Sequence, residues 1–320
     1  MLLLAARVAA AILYSGHEPV SIPIFPDLAS MYAHFITAEK EEEEQVVASS
    51  FDHNHPQALL DSLLALTVLS LGQDPGETTS FAAADETQFQ NFVISLTSCT
   101  ARQSYVTIRR IPGIIVHKHP SPTARFNIIH RILDDDNLQT LKESAIGWLK
   151  EEILSAHQQQ QQQQNVEEKS SSSIFLNPKS FSTLFPLLFN PADVTMDVSD
   201  ILASFTHFVQ ITSPQIHSSL SLYYILISSN LSREKLQIPK TYQYFRTRFL
   251  EPLRAVCHGF VADLKQNGGP GRLEDTLGEE FVHSAMMMSV DLINGLLERI
   301  EDVVGDAFVV DIDQLEESSV

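Results

Sequence analysis

The chain has 320 residues, of which 44% are apolar and 19% charged, and its formal net charge is −19 at pH 7. This composition is too apolar for a mostly disordered chain, and a mean hydropathy of −0.01 is too low for a multi-span membrane protein. Because an acidic surface repels phosphate backbones, the charge also argues against a general nucleic-acid-binding protein.

The apolar N-terminus does not have the order of charge that a signal peptide requires. No basic residue precedes the apolar run, Arg7 interrupts it, and its length of about 13 residues is below the ~20 that cross a bilayer. The spacing of Leu4, Val8 and Ile12 instead predicts a buried helix of a soluble domain. Since no cap precedes this helix, we expect an N-terminally truncated form, and we expect a cytoplasmic or nuclear location.

Helical spacing of apolar residues continues through the first half of the chain. The predicted helices are 25–38, Pro56–Leu71, 85–98 and 102–111, the last broken by Pro112-Gly113. Ser121-Pro122 is a helix start, because a capping hydroxyl precedes a proline at the first helical position. The acidic turn 134–137 joins this helix to a second one that contains Trp148, which predicts a helical hairpin.

Seven glutamines and four serines lie in the segment 157–173. Such a segment cannot bury enough apolar surface to offset its ordering entropy, which predicts a flexible linker or insertion. We therefore divide the chain into N-terminal helical repeats (1–156), this segment, C-terminal helical repeats (174–305) and an acidic tail (306–320).

The second half also has helical spacing. It begins with a phenylalanine stripe at Phe181, Phe185 and Phe189. Helices are then predicted over 197–211, from Ser213-Pro214 onward, and over 240–266. The last predicted helix carries the apolar residues Phe281, Ala285, Met288, Leu292, Leu296 and Val303. Helical hairpins at irregular intervals predict an all-α fold, a HEAT/armadillo-like α-solenoid of degenerate hairpins. A closed helical bundle is the alternative.

No catalytic motif is present in the sequence. Phosphate-binding loops, a nucleophile elbow and HExxH are absent, and Cys99 and Cys257 are too few for a four-thiolate zinc site. The pairs His53-Asn54-His55 and His117-Lys118-His119 are interpreted as solvated loop histidines. We therefore expect a non-enzymatic protein without cofactor or metal.

Charge is unevenly distributed along the chain. Residues 102–131 contain basic but no acidic side chains, whereas residues 263–320 contain 14 acidic and 3 basic ones. Runs of charge commonly serve solubility, and the contrast between the segments raises the alternative of a protein-binding surface, with the acidic segment against a basic partner. The basic residues predicted to contact a partner are Arg102, Arg109, Arg110, Lys118, Arg125 and Arg131.

The segment HPSPTARFNIIHRILDDDNLQTLKESAIGWLKEEIL (119–154) resembles the central part of the glomulin / YAP-binding protein family. The segments IFLNPKSFSTLFPLLF (174–189), SSLSLYYILISS (218–229) and REKL (233–236) are also similar to it. The resemblance covers about 85–305, and fungal members, which carry similar Gln/Ser insertions, are the most similar.

The resemblance implies an α-helical repeat scaffold that binds other proteins. Fungal members imply a role in oxidative-stress signalling through a bZIP-type transcription factor, or at kinetochores. The animal member implies an inhibitor that binds the RING subunit of cullin-RING ubiquitin ligases. A stress role would make Cys99 and Cys257 candidate redox residues, although their apolar neighbours favour buried inert thiols. An enzyme with an unrecognised site is the remaining alternative.

Overall fold

The computed structural model describes residues 15, 24–33, 57–71, 85–101, 106–163, 173–195, 200–264 and 271–317. Every regular element in these ranges is a helix, and no strand occurs in them, which confirms the all-α class. The predictions for the N-terminal helix and for His53-Asn54-His55 lie outside the described residues. Contacts divide the chain into two compact units, Met1–Ile128 and Ile129–Val320. The domain boundaries drawn around the glutamine segment stay a prediction.

The first unit is built from short helices around an aromatic core. They are α1 (Ile24–Leu28, continued by 29–33), α2 (Gln57–Leu71), α3 (Glu86–Ala101), α4 (Val106–Arg109), α5 (Ile111–Lys118) and α6 (Pro122–Asp134), which reaches into the second unit. The Phe92 ring lies 5.2 Å from that of Phe25 and 5.6 Å from that of Tyr32. These edge contacts join α1 to α3 in a core of buried rings.

Proline and capping residues mark helix starts in this unit. The described residues of α2, Gln57–Leu71, lie within the predicted helix. Ser121 Oγ accepts a hydrogen bond from the Ala124 amide at 3.3 Å, which confirms the predicted cap of α6. The helix predicted to break at Pro112 ends at Arg109, and Pro112 lies in the first turn of the next helix, α5. At that position the missing N–H of proline has no intrahelical partner to lose.

The described part of the second unit contains four long helices and three short ones. They are α7 (Lys142–Gln163), α8 (Pro178–Leu188), α9 (Ile201–His207, Phe208–Thr212 and Ser213–Ser228), α10 (Asn230–Lys235), α11 (Ile238–Phe245, Arg246–Leu250 and Glu251–Leu264), α12 (Arg272–Leu277) and α13 (Glu279–Ala285, Met286–Asp291 and Leu292–Glu317). Short 3₁₀ segments lie before α7 (Asp136–Leu141), between α7 and α8 (Ile174–Leu176) and between α8 and α9 (Pro191–Val194).

The long helices α9 and α11 of this unit pack as antiparallel neighbours. Rings at both ends of α9 contact α11, with Phe205 5.2 Å from Phe260 and Tyr223 4.2 Å from Phe245. α9 also packs along α7 on one side and α13 on the other. α11 in turn contacts α13, and this side-by-side packing of successive helices is consistent with HEAT-like hairpins.

The separate helices predicted at 197–211 and from Ser213-Pro214 are one continuous helix, so that prediction is wrong. A π-helical turn at Phe208–Thr212 precedes Pro214, and another at Arg246–Leu250 precedes Pro252 in α11. A proline inside a helix lacks an N–H and clashes with the carbonyl four residues earlier. The wider turn accommodates both effects, so the chain continues as a helix past each proline.

The phenylalanine stripe of α8 packs at the centre of the second unit. The Phe245 ring lies 6.0 Å from Phe185, 4.6 Å from Phe189, 4.2 Å from Tyr223 and 5.8 Å from Phe249. All five side chains are buried. The phenylalanine stripe identified by its spacing therefore faces the core.

Part of the predicted flexible segment is helical. α7 continues through Gln163, so 157–163 extend the helix, while 164–172 lie outside the described residues. Glutamine has good helix propensity, and extending a formed helix costs less than nucleating one. The Lys235 ammonium also donates a hydrogen bond to the Gln160 side chain. Both effects favour helix where composition alone predicts a flexible chain.

Candidate functional site

Two of the six basic residues predicted to contact a partner bond to the fold itself. Lys118 Nζ donates to the Leu71 carbonyl at 2.6 Å, across the end of α2. Arg125 Nη1 donates to the His119 carbonyl at 2.5 Å, at the junction of α5 and α6. These contacts give Lys118 and Arg125 a role in positioning helices of the first unit.

The other four basic residues differ in setting. Arg109 and Arg110 are exposed at the end of α4, whereas Arg131 is half-buried in the last turn of α6. Arg102 lies outside the described residues. Of the described ones, Arg109 and Arg110 keep the exposure that a contact surface needs, and their role in binding stays a prediction.

His119 is buried, which corrects its interpretation as a solvated loop histidine. Its ring lies 4.4 Å from that of Phe89, and its Nδ1 accepts a hydrogen bond from the Ser121 amide at 3.2 Å. His117 lies in the last turn of α5. Among the residues that the structure describes, no group of three or more His, Cys, Asp or Glu side chains could hold a metal ion.

A polar cluster joins the start of α7 to α9. Lys142 is buried, with its Nζ 3.4 Å from Asp136 Oδ1. Gln215 Nε2 donates to Asp193 Oδ2 at 3.2 Å, and Gln139 Nε2 donates to Gln215 Oε1 at 2.8 Å. Burial raises the pKa of Asp193, and the nearby Lys142 charge opposes the rise. Because these groups bond to one another, the cluster fixes helix positions.

A second buried carboxylate fixes the start of the C-terminal helices. Asp263 accepts hydrogen bonds from the Leu273 amide at 3.1 Å and from Arg272 Nε at 3.0 Å. It thereby satisfies an amide in the first turn of α12, which has no intrahelical partner. Gly271 lies so close to Asp263 that a Cβ atom there would clash with its backbone carbonyl. This close approach requires glycine.

Apolar side chains are exposed on one side of α13. We call this surface the α13 face, and it consists of Phe281, Met287, Met288 and Leu292. Exposed acidic side chains lie along the same helix. The face combines apolar surface with negative charge in the segment 263–320, which was predicted to bind a partner.

The apolar stripe predicted for the last helix is only partly buried. Ala285 is buried, but Phe281, Met288 and Leu292 are exposed, while the core side is formed by Val282, Met286, Val290, Ile293, Leu297, Ile300 and Val304. The helix carries two apolar sides, and spacing alone does not distinguish them. This helix contains more apolar residues than one buried stripe needs, and that excess was the signal in the sequence for a second apolar side.

The two cysteines lie in different surroundings. Cys257 is buried in α11, and Cys99 is half-buried near the end of α3. Burial, reinforced by the nearby charge of Asp291, raises the pKa of the Cys257 thiol to about 12. Since the thiolate is the reactive form, Cys257 has the character of an inert core residue.

Comparison with known proteins identifies one family. A family model described as "Uncharacterised protein family, YAP/Alf4/glomulin" matches residues 1–300. The matched range includes the segments at 119–154 and 174–189 that carry the resemblance seen in the sequence. No curated protein and no solved structure matches the chain. None of the described helices is long and apolar enough to span a membrane.

Proposed function

The chain belongs to the YAP/Alf4/glomulin family, and we propose that it is a non-enzymatic adaptor that binds other proteins through exposed helix faces. The observation that carries this proposal is the α13 face, which exposes apolar side chains within a strongly acidic segment. Exposed apolar surface of this kind is typical of protein-interaction sites. A cytoplasmic and nuclear location is part of the proposal.

The finer proposal is a role in oxidative-stress signalling, with a stress-response bZIP-type transcription factor as the partner. Two features support it: the YAP-binding members after which the family is named, and the net charge of −19, which suits a basic partner. Signalling would depend on binding and not on the Cys257 thiol, because burial raises its pKa to about 12.

A second candidate function is inhibition of a cullin-RING ubiquitin ligase by binding of its RING subunit. The glomulin members of the family and the acidic segment 263–320 support this alternative, since RING surfaces are compact and often basic. It differs from the first candidate in the partner and in the consequence of binding, which would be steric exclusion. A kinetochore scaffold is a third candidate.

Affinity capture of the tagged full chain from fungal cells, with and without peroxide and at two salt concentrations, tests these candidates. The adaptor proposal predicts specific partners whose recovery falls at the higher salt concentration, because screening weakens contacts to an acidic surface. A bZIP factor supports the stress role, cullin and RING subunits support ligase inhibition, and kinetochore subunits support the third candidate. Recovery of chaperones alone would contradict all three.

A further inference from the structure

The α13 face is a strip of exposed apolar side chains that Ser284 and Ala285 interrupt. Phe281, Met288 and Leu292 are each followed directly by a buried residue, Val282, Ser289 and Ile293 respectively. The three exposed side chains therefore lie on one side of the helix, which includes the π-helical turn Met286–Asp291. Met287 extends the strip beside Met288. Met288 is 65% exposed and Phe281 47% exposed, so substantial apolar surface contacts water.

Among the described residues, the strip contributes less to packing than the opposite side of the helix. The opposite side of α13 supplies the buried residues, among them Val290, Ile293 and Ile300. A helix with one apolar side is sufficient to cover a core. Two methionines at the centre of the exposed strip provide flexible, polarizable surface, which adapts to differently shaped apolar partners.

The surroundings of the strip are acidic. Between Glu279 and Asp302, α13 carries six acidic side chains and one basic one, Arg299. Glu301 is bonded to Arg254 at 2.6 Å, and the others with exposed side chains are Glu279, Glu280, Asp291, Glu298 and Asp302. Gly295 lies on the same helix with open space at its Cβ position, so another backbone can approach there closely.

We infer that the α13 face binds a basic amphipathic helix of a partner protein. The apolar side of that helix covers Phe281, Met288 and Leu292, and its Lys and Arg side chains lie against the acidic residues around the strip. Charge complementarity selects this occupant, because a second α13 face or an anionic membrane surface would be repelled by the same acidic residues. The inference rests on the proposed adaptor function and specifies the chemistry of the partner.

A designed peptide tests this inference with the full chain. The probe is a fluorescein-labelled helix of about 18 residues, or five turns, with leucine along one side and lysine along the other. Its counterpart carries glutamate in place of every lysine. Fluorescence anisotropy should show saturable binding of the lysine peptide and no saturable binding of the glutamate peptide.

Variants locate the binding surface. The double variant Met288→Ser/Leu292→Ser should raise the Kd of the lysine peptide at least about tenfold, since central apolar anchors dominate interface energies. The charge variant Glu280→Lys/Asp291→Lys should weaken binding and reduce its dependence on salt. Tyr244→Ser is the matched control, because Tyr244 is comparably exposed on α11 and should leave the Kd unchanged. All replaced side chains are exposed, so unfolding should not confound the result.

Three results would overturn the inference. The first is equal binding of the lysine and glutamate peptides, and the second is an unchanged Kd in the Met288→Ser/Leu292→Ser variant. The third concerns another occupant of the face: the wild-type chain self-associates or binds phosphatidylserine vesicles, and the Met288→Ser/Leu292→Ser variant abolishes that binding.

If the peptide binds as expected but cells yield no partner, the adaptor proposal fails while the surface chemistry stands. If partner capture survives the variant, the adaptor proposal stands and the α13 face is not its binding surface.

Discussion

Replacing Tyr223 by phenylalanine should stabilise the second unit. The Tyr223 hydroxyl is buried in α9 and has no hydrogen-bond partner among the described residues. A buried polar group without a partner costs about 1–3 kcal/mol of stability, because it loses its hydrogen bond to water and gains none. Tyr223→Phe removes that cost and keeps the ring contacts with Phe189 and Phe245.

The same substitution at Tyr32 should have the opposite sign. The Tyr32 hydroxyl lies 3.1 Å from Thr67 Oγ1, and since Thr67 itself donates to the Leu63 carbonyl at 2.8 Å, Tyr32 is the donor. Tyr32→Phe loses one satisfied hydrogen bond, which costs about 0.5–1.5 kcal/mol. Two chemically identical changes therefore separate an unsatisfied buried hydroxyl from a satisfied one.

The two variants need separate measurements. Trp148 is the single tryptophan and is buried in the second unit, so its fluorescence during urea unfolding follows that unit. We expect Tyr223→Phe to raise the unfolding free energy by about 1 kcal/mol, or the melting temperature by about 2–4 °C for a unit of this length. Tyr32→Phe is followed by hydrogen exchange in peptides from α2. Tyr244→Phe, at an exposed tyrosine, should leave stability unchanged.

A lower unfolding free energy in Tyr223→Phe would refute this explanation of the buried hydroxyl. That result would mean that the hydroxyl is bonded in the folded protein. Equal losses in Tyr223→Phe and Tyr32→Phe would refute the contrast between the two sites in the same way.

Three further predictions concern buried groups. Burial raises the pKa of Asp193 above 3.8, so the folded state holds this proton more tightly and the contribution of Asp193 to stability falls as pH rises above 3.8. Asp193→Asn should flatten the decline, and urea unfolding from about pH 4 to about pH 7 that shows unchanged pH dependence would contradict this. Gly271→Ala should increase hydrogen exchange in α12, whereas Gly305→Ala, where the Cβ position is open, should not. Cys257 should resist iodoacetamide at about pH 8 in the folded protein and react after unfolding, because burial raises its pKa to about 12.

Local chemistry in the sequence was sufficient to predict many helix limits. Ser121-Pro122 starts α6, and α2 occupies Gln57–Leu71 within the helix predicted from Pro56 to Leu71. The i, i+4, i+8 spacing of the phenylalanines predicted the stripe that packs on Phe245. In each of these cases one short-range interaction determines the local structure, so the sequence pattern is sufficient to predict it.

Predictions failed where a local signal had two structural solutions. A proline such as Pro214 either starts a helix or follows a π-helical turn inside one, and packing of α9 along α7 and α13 favours the continuous helix. The stripe through Phe281 and the stripe through Val282 have similar apolar content, and only packing shows that the second is buried. The sequence therefore predicted a charged segment as the surface for a partner. The apolar residues at the centre of that surface were identified only from the structure.

Quantitative affinity capture with three baits asks whether this protein is an adaptor that acts through the α13 face. The wild-type chain, the Met288→Ser/Leu292→Ser variant and the Tyr244→Ser control are expressed at equal levels in fungal cells. Their captured proteins are then compared by isotope-labelled mass spectrometry. We expect at least one specific partner that the wild-type chain and the control both capture and the face variant loses. An identical set of partners with all three chains would show that the α13 face is not the surface through which the protein acts. No specific partner with any of them would contradict the adaptor proposal itself.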